Sequence, residues 1–236
     1  MELEKGTDTI DDPSPQDDPA GHGTHVTGTI LGKTYGLAKH ATGIAVRVLD
    51  RTGSGTVGTI LGGIQWLVND HTSKTNKKSL ANMSLGGSKS KALNDAVDEA
   101  VNAGVLFIVA AGNEGMDSCQ TSPASAKQSI SAGCTDRDDK FCYFSNYGRC
   151  VEILAPGMNI ISASNQGDQA TEIFSGTSMS APHIAGILAK HLGQQLGPIT
   201  QAQAVSWLTE NATKDKITSV PRKTVNNLGF MDCALA

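Results

Sequence analysis

A chain of 236 residues with 39% hydrophobic and 18% charged side chains has the balance of one globular domain and is too apolar to stay disordered. A formal net charge of −4 argues against a broad nucleic-acid-binding face. No apolar run is long enough to cross a bilayer, so no membrane partner is expected either; the longest, Gly104 to Gly112, suits a buried strand.

Residues 1–20 are acidic, lack the apolar stretch of a signal peptide, and are broken by Pro13, Pro15 and Pro19; they read as a loop ahead of a domain over 21–236. Gly43 to Asp50, "GIAVRVLD", is short, apolar and rich in β-branched residues, hence a strand. In the next segment Val57, Ile60, Leu61, Ile64, Leu67 and Val68 recur at helical spacing. "SLANMSLGG" reads as a strand running into a Gly-rich turn. "SKALNDAVDEAVNAG" reads as an amphipathic helix stopped by Gly104. "VLFIVAAGN" is the next strand, followed by "SISAGC", "CVEILAPG" and "IISAS"; "GTSMSAPHIAGILAKHLG" is a helix after a turn. Strands alternating with helices imply an α/β fold, a parallel sheet with helices on its faces and one core.

Three motifs fall where such folds bind ligands, at strand ends and helix starts. "GHGTH" sets His22 between glycines, "VAAGNEG" sets Asn113 just past a buried strand, and "SGTSMSAPH" sets Ser178 in the first turn of a helix. A Ser, a His and an amide donor are the parts of an acyl-transfer site: nucleophile, base and oxyanion donor. Singly, each also fits a structural role as loop residue, turn residue or helix cap. The five cysteines form no CxxC pair, and their odd number leaves at least one thiol unpaired within the chain.

Together "GHGTHVTGT", "NMSLGG", "VAAGNEG" and "SGTSMSAPHIAG" resemble the signature blocks of the subtilisin-like serine proteases, in that family's order. "YGLAKHATGIAVRVLD" and "FSNYGRCVEILAPG" are closer to its proteinase K-like branch. The resemblance implies a doubly wound, mostly parallel sheet and the hydrolysis of peptide bonds. It makes His22 the general base, Ser178 the nucleophile and Asn113 the oxyanion donor, with His25 in structural support. It places Ser84, Leu85, Gly86 and Gly87 on one wall of a peptide-binding cleft and Gly53, Ser54 and Gly55 on the other. Ala110, Ala111 and Gly112 match the pocket for the residue before the scissile bond; small residues there imply broad specificity with an apolar preference. Cys119 and Cys150 match a disulfide of that branch. Cys134 and Cys142 are then free to pair locally, which leaves Cys233 over, and buried free thiols are the alternative. The likeness also implies a monomer acting on protein or peptide substrates outside the cell or in a vacuole. No cofactor is needed for the chemistry. A structural calcium is an expectation with Glu152 in the place of the usual Asp.

The family's third triad member, an Asp ending an apolar strand before Thr-Gly, has no clear match. Asp8 is the closest, in "DTI", but its flank "MELEKGT" is too charged for a buried parallel strand. Asp11, Asp12, Asp17 and Asp18 read as a solvated loop. The expectation is a protease chain whose N-terminal strand and orienting acid are missing, with little activity. A pseudoprotease that binds peptides is the alternative. An α/β-hydrolase esterase is excluded, because Ser178 lacks a G-x-S-x-G elbow.

Overall fold

The computed structural model describes residues 2–10 and 18–231; Asp11, Asp12, Asp17 and Cys233 lie outside them. β1 (Glu2–Asp8) corrects the expectation of a loop over residues 1–20. It pairs in parallel with β2 (Thr42–Arg47), Leu3 opposite Gly43 and Asp8 opposite Arg47, as a two-stranded ribbon. The charged sequence is compatible with this because the strand is not buried: Leu3 stays 49% exposed. Backbone pairing, rather than an apolar face, defines the element.

Between them α1 (His22–Leu31) begins at the Gly-His-Gly motif. α2 (Val57–Ser73) follows β2, its first turn capped by Thr56 Oγ1 accepting from the Thr59 N–H. β3 (Leu80–Met83) and the two-residue β4 (Gly87–Ser88) lead into α3 (Lys91–Asn102), capped by Ser90. β5 (Leu106–Ala110) is buried at all five positions. The short β6 (Thr121–Ser122) pairs with β4. β7 (Ile130–Thr135) and β8 (Ile153–Pro156) complete the predicted strands of the sheet centre. β9 (Ile160–Ala163) instead joins β10 (Thr171–Phe174) in a separate antiparallel ribbon. α4 (Thr177–Gln194), α5 (Gln201–Asn211), β11 (Thr213–Lys214) and β12 (Asn227–Leu228) close the chain.

The central sheet runs β11-β12-β8-β7-β5-β3, parallel from β12 to β3, with β11 antiparallel at one edge and β3 at the other. Its two faces split the single predicted core into layers. Leu106, Ile108, Ala132 and Ile153 pack against Ile184, Leu188 and Leu192 of α4 and Leu208 of α5. Phe107 and Val109 face the other way, onto Leu93, Val97 and Val101 of α3 and Ile60 and Ile64 of α2. Each such side chain contributes about 1.5–3 kcal/mol by leaving water. Because β3 and β5 run parallel, their carboxyl ends lie together at the start of α4, where Ser84 bonds the Ser178 carbonyl and the Gly112 N–H bonds Thr177 Oγ1.

Candidate active site

His22 is the first residue of α1, after Gly21 in the left-handed region at φ 72°. The Asp18 carboxylate accepts a 2.6 Å hydrogen bond from the Thr24 N–H and so caps the helix; its carbonyl accepts from Gly21 N–H and from Asn165 Nδ2. Asp18 is thus a structural residue rather than a solvated bystander. Burial lowers the pKa of His22, the Asp18 charge offsets part of that, and neighbouring His25 lowers it further. The net shift is downward and favours the neutral imidazole. His25 is fully buried, bonds the Ile160 carbonyl through Nε2 at 2.9 Å and stacks on Phe174, which fits structural support. Asp8 is engaged elsewhere: it accepts from Arg47 at 3.1 Å and from Ile10 N–H at 2.9 Å. Among the described residues no carboxylate hydrogen-bonds His22.

Ser178 is the second residue of α4, and α1 packs against that helix. Pro182 lies four residues on and has no N–H, so the Ser178 carbonyl loses its helical donor. The Ser84 hydroxyl replaces it at 2.6 Å, and Asn82 Nδ2 donates to that hydroxyl in turn. Ser178 Oγ donates to the Ser84 carbonyl at 3.3 Å rather than to His22. Such loose contacts tighten in substrate complexes.

Asn113 stands just past β5. Its Oδ1 accepts from Thr177 N–H at 2.8 Å and from Thr177 Oγ1 at 3.0 Å, which turns Nδ2 away from Thr177. Thr177 Oγ1 also accepts from the Gly112 N–H. Gly176 has no side chain here; a first side-chain carbon on it would stand 3.6 Å from Asn113 Nδ2 and 3.7 Å from Ser178 N. Two donors, a carboxamide N–H and a backbone N–H at a helix start, therefore border one small space beside Ser178.

A cavity of about 50 Å³ adjoins it, lined by Leu85, Gly86, Ala110, Gly112, Asn113 and Ser178 among others. Gly87 lines it too, as the Ser84–Gly87 string implied; Glu114, Thr121, Ser122 and Thr177 also line it and were not singled out, although Glu114 and Thr177 sit inside the quoted motifs. Ala111 is a correction: it is fully buried in the core with Phe141, Val151 and Leu154 and does not line the cavity. Gly53, Ser54 and Gly55 form an exposed turn closed by Asp50, with Gly53 near Ala20 on the His22 side and outside the cavity lining. A broader concavity of about 620 Å³ at Asp136, Arg137 and Met158 contains none of these residues.

Cys119–Cys150 is a disulfide, as the resemblance implied, and Cys134–Cys142 is a second, settling the pairing left open. The one carboxylate expected at a calcium site, Glu152, is hydrogen-bonded within the protein. Burial pushes the Glu152 carboxyl up to about 8, one oxygen already accepts from Ser131 N–H at 2.7 Å, and no group of three His, Cys, Asp or Glu side chains able to hold a metal occurs among the described residues. No helix among them is long and apolar enough to cross a membrane.

Residues 2–228 match the model of the subtilase family, Peptidase S8. The chain is 45% identical to the subtilase-type proteinase isp6 of Schizosaccharomyces pombe, a match that covers 94% of this chain and 48% of that protein. It is 45% identical to the subtilisin-like serine protease Rho m 2.0101 of Rhodotorula mucilaginosa, over 94% of this chain and 69% of that one. It is 44% identical to cerevisin of Saccharomyces cerevisiae, over 89% and 36%. The chain thus spans about half the length of most curated relatives it matches. The solved structure of a cold-adapted subtilisin-like serine proteinase superposes with a TM-score of 0.90 at 40% identity, covering 98% of this chain and 82% of that one. With its family model matched from β1 to β12, the chain belongs to the subtilase family.

Proposed function

We propose that this chain carries the acyl-transfer centre of a serine endopeptidase. The observation that supports it most is the Thr177 clamp on Asn113, which leaves the carboxamide N–H free beside Ser178. Ser178 Oγ leaves the Ser84 carbonyl, gives its proton to neutral His22 and attacks the peptide carbonyl. Asn113 Nδ2 and the Ser178 N–H donate to the oxyanion. The His22 imidazolium then protonates the departing amine, and water hydrolyses the acyl-enzyme. The substrate lies as an added strand between the Ser84–Gly86 edge and the Gly53–Gly55 turn. Two disulfides suit an oxidising location such as the exterior or a vacuole.

No orienting acid reaches His22 among the described residues. In other serine proteases the loss of that acid lowers turnover about 10⁴-fold, so residues 1–236 are expected to turn over slowly. The same observation favours a second reading, a pseudoprotease that binds peptides. A fluorophosphonate probe separates the two. Labelling of the wild type at Ser178, lost in Ser178→Ala, supports the endopeptidase; an unlabelled chain that still binds peptides supports the binder. Cleavage of a peptide amide at a rate typical of complete subtilases would refute the slow-turnover part.

A further inference from the structure

The segment Ala111–Met116 runs beyond the end of β5, yet Asn113 within it is held in one orientation. A buried side chain supplies the partners that a strand ladder would. Asn146 is fully buried, and its Oδ1 accepts from the Glu114 N–H at 3.2 Å and the Met116 N–H at 3.0 Å. Its Nδ2 donates to the Ala111 carbonyl at 3.0 Å and to the Glu114 carboxylate at 2.7 Å, and its own N–H donates to the Gly112 carbonyl at 2.9 Å. The Glu114 carboxylate accepts in turn from the Asn113 N–H at 3.0 Å. Asn113 is thereby tied on both sides to one carboxamide more than thirty residues away.

The anchor itself is fixed. Ser145 Oγ accepts from Cys134 N–H at 3.1 Å and donates to the Asn146 carbonyl at 2.9 Å, just past the segment closed by the Cys134–Cys142 disulfide. Only a carboxamide of this reach offers two acceptor positions and two donors here. Gly112 must be glycine beside it: its φ is 104°, and a methyl group would overlap the Asn146 amide.

We propose that Asn146 is a positioning residue for the oxyanion donor: it sets the Ala111–Met116 loop so that Asn113 meets the transition state, and it touches no substrate itself. This rests on the reading of Ser178 and Asn113 as nucleophile and oxyanion donor. Loss of one oxyanion donor costs about 10²–10³ in turnover, and a 1 Å misplacement about 10².

The test is steady-state hydrolysis of an activated peptide ester by the full 236-residue chain. Asn146→Ala is expected to lower kcat roughly 10–100-fold with KM within about twofold. Added to Asn113→Leu it is expected to cause little further loss, because both act through one donor. Losses that multiply, or a change confined to KM, would overturn the proposal. The swap keeps it falsifiable if Asn146→Ala does not fold. Asn146→Asp sets a carboxylate against Glu114; adding Glu114→Gln restores a donor–acceptor pair with reversed polarity and is expected to recover at least about tenfold of the lost kcat. No recovery in a folded double variant would also overturn the proposal. A wild-type rate equal to that of Ser178→Ala would instead remove the functional reading, and this one with it.

Discussion

Replacing Glu152 by glutamine keeps the shape and the acceptor for the Ser131 N–H but removes a titration. The carboxyl is raised from 4.5 to about 8, chiefly by desolvation, against two backbone hydrogen bonds that lower it. Below pH 4.5 it is protonated in both folded and unfolded chains and contributes no pH dependence. Between pH 4.5 and 8 the folded chain holds a proton that the unfolded chain releases, so stability falls as pH rises and the loss is complete above about 8. At 1.36 kcal/mol per unit, that difference converts to about 5 kcal/mol. Glu152 keeps part of its surface in solvent, and screening brings the expected effect to roughly 2–3 kcal/mol. The assay is urea unfolding at pH 5 and pH 9 in a Ser178→Ala background, which prevents self-cleavage. The lowered histidines, His22 and His71 among them, give the opposite slope near neutral pH but cancel between the two proteins. Glutamine should be nearly neutral at pH 5 and stabilising by the stated amount at pH 9. An equal difference at both pH values would refute the reasoning.

Asp18→Asn removes the charge that raises the His22 pKa, so the acid limb of the pH–rate profile for ester hydrolysis should move to lower pH, and the shift should shrink in high salt. The same substitution keeps an acceptor for the Thr24 N–H but removes a negative charge from the start of α1, and should cost about 0.3–1 kcal/mol of stability by urea titration. Opening the Cys119–Cys150 bridge by Cys150→Ser frees a loop spanning 31 positions and should lower stability by up to about 3–4 kcal/mol in the same titration.

The central sheet and the helices on it could be read along the chain because their apolar residues repeat at 2.0 or 3.6 positions. The residues Val57 to Val68 and Lys91 to Asn102 became α2 and α3. β1 could not be read that way: a ribbon held by backbone pairing to β2 leaves no apolar signature in "ELEKGTD". α5 did carry a signal, the Thr200 and Gln203 capping box, which passed unused. Within the site, His22, Asn113 and Ser178 were legible as motif residues. Asn146 was not, because its value lies in partners 30–35 positions away, and no local spacing announces that. Ala111 was misplaced for a related reason: adjacent residues past a strand point in opposite directions, so only its neighbours Ala110 and Gly112 face the cavity.

The exchange between Ser84 and Ser178 also bears on when the start of α4 acquires its final geometry. An ordinary helix would complete the environment of its second residue locally, within one turn. Here Pro182 removes that option, and the substitute donor, Ser84, arrives from just past β3, ninety-four positions earlier. A chain still leaving the ribosome, or one partly unfolded, can wind α4 but leaves the nucleophile on a frayed end. Closure over so long a span comes with assembly of the sheet rather than before it. The proline thus makes the local geometry of Ser178 depend on closure of the sheet rather than on its helix alone.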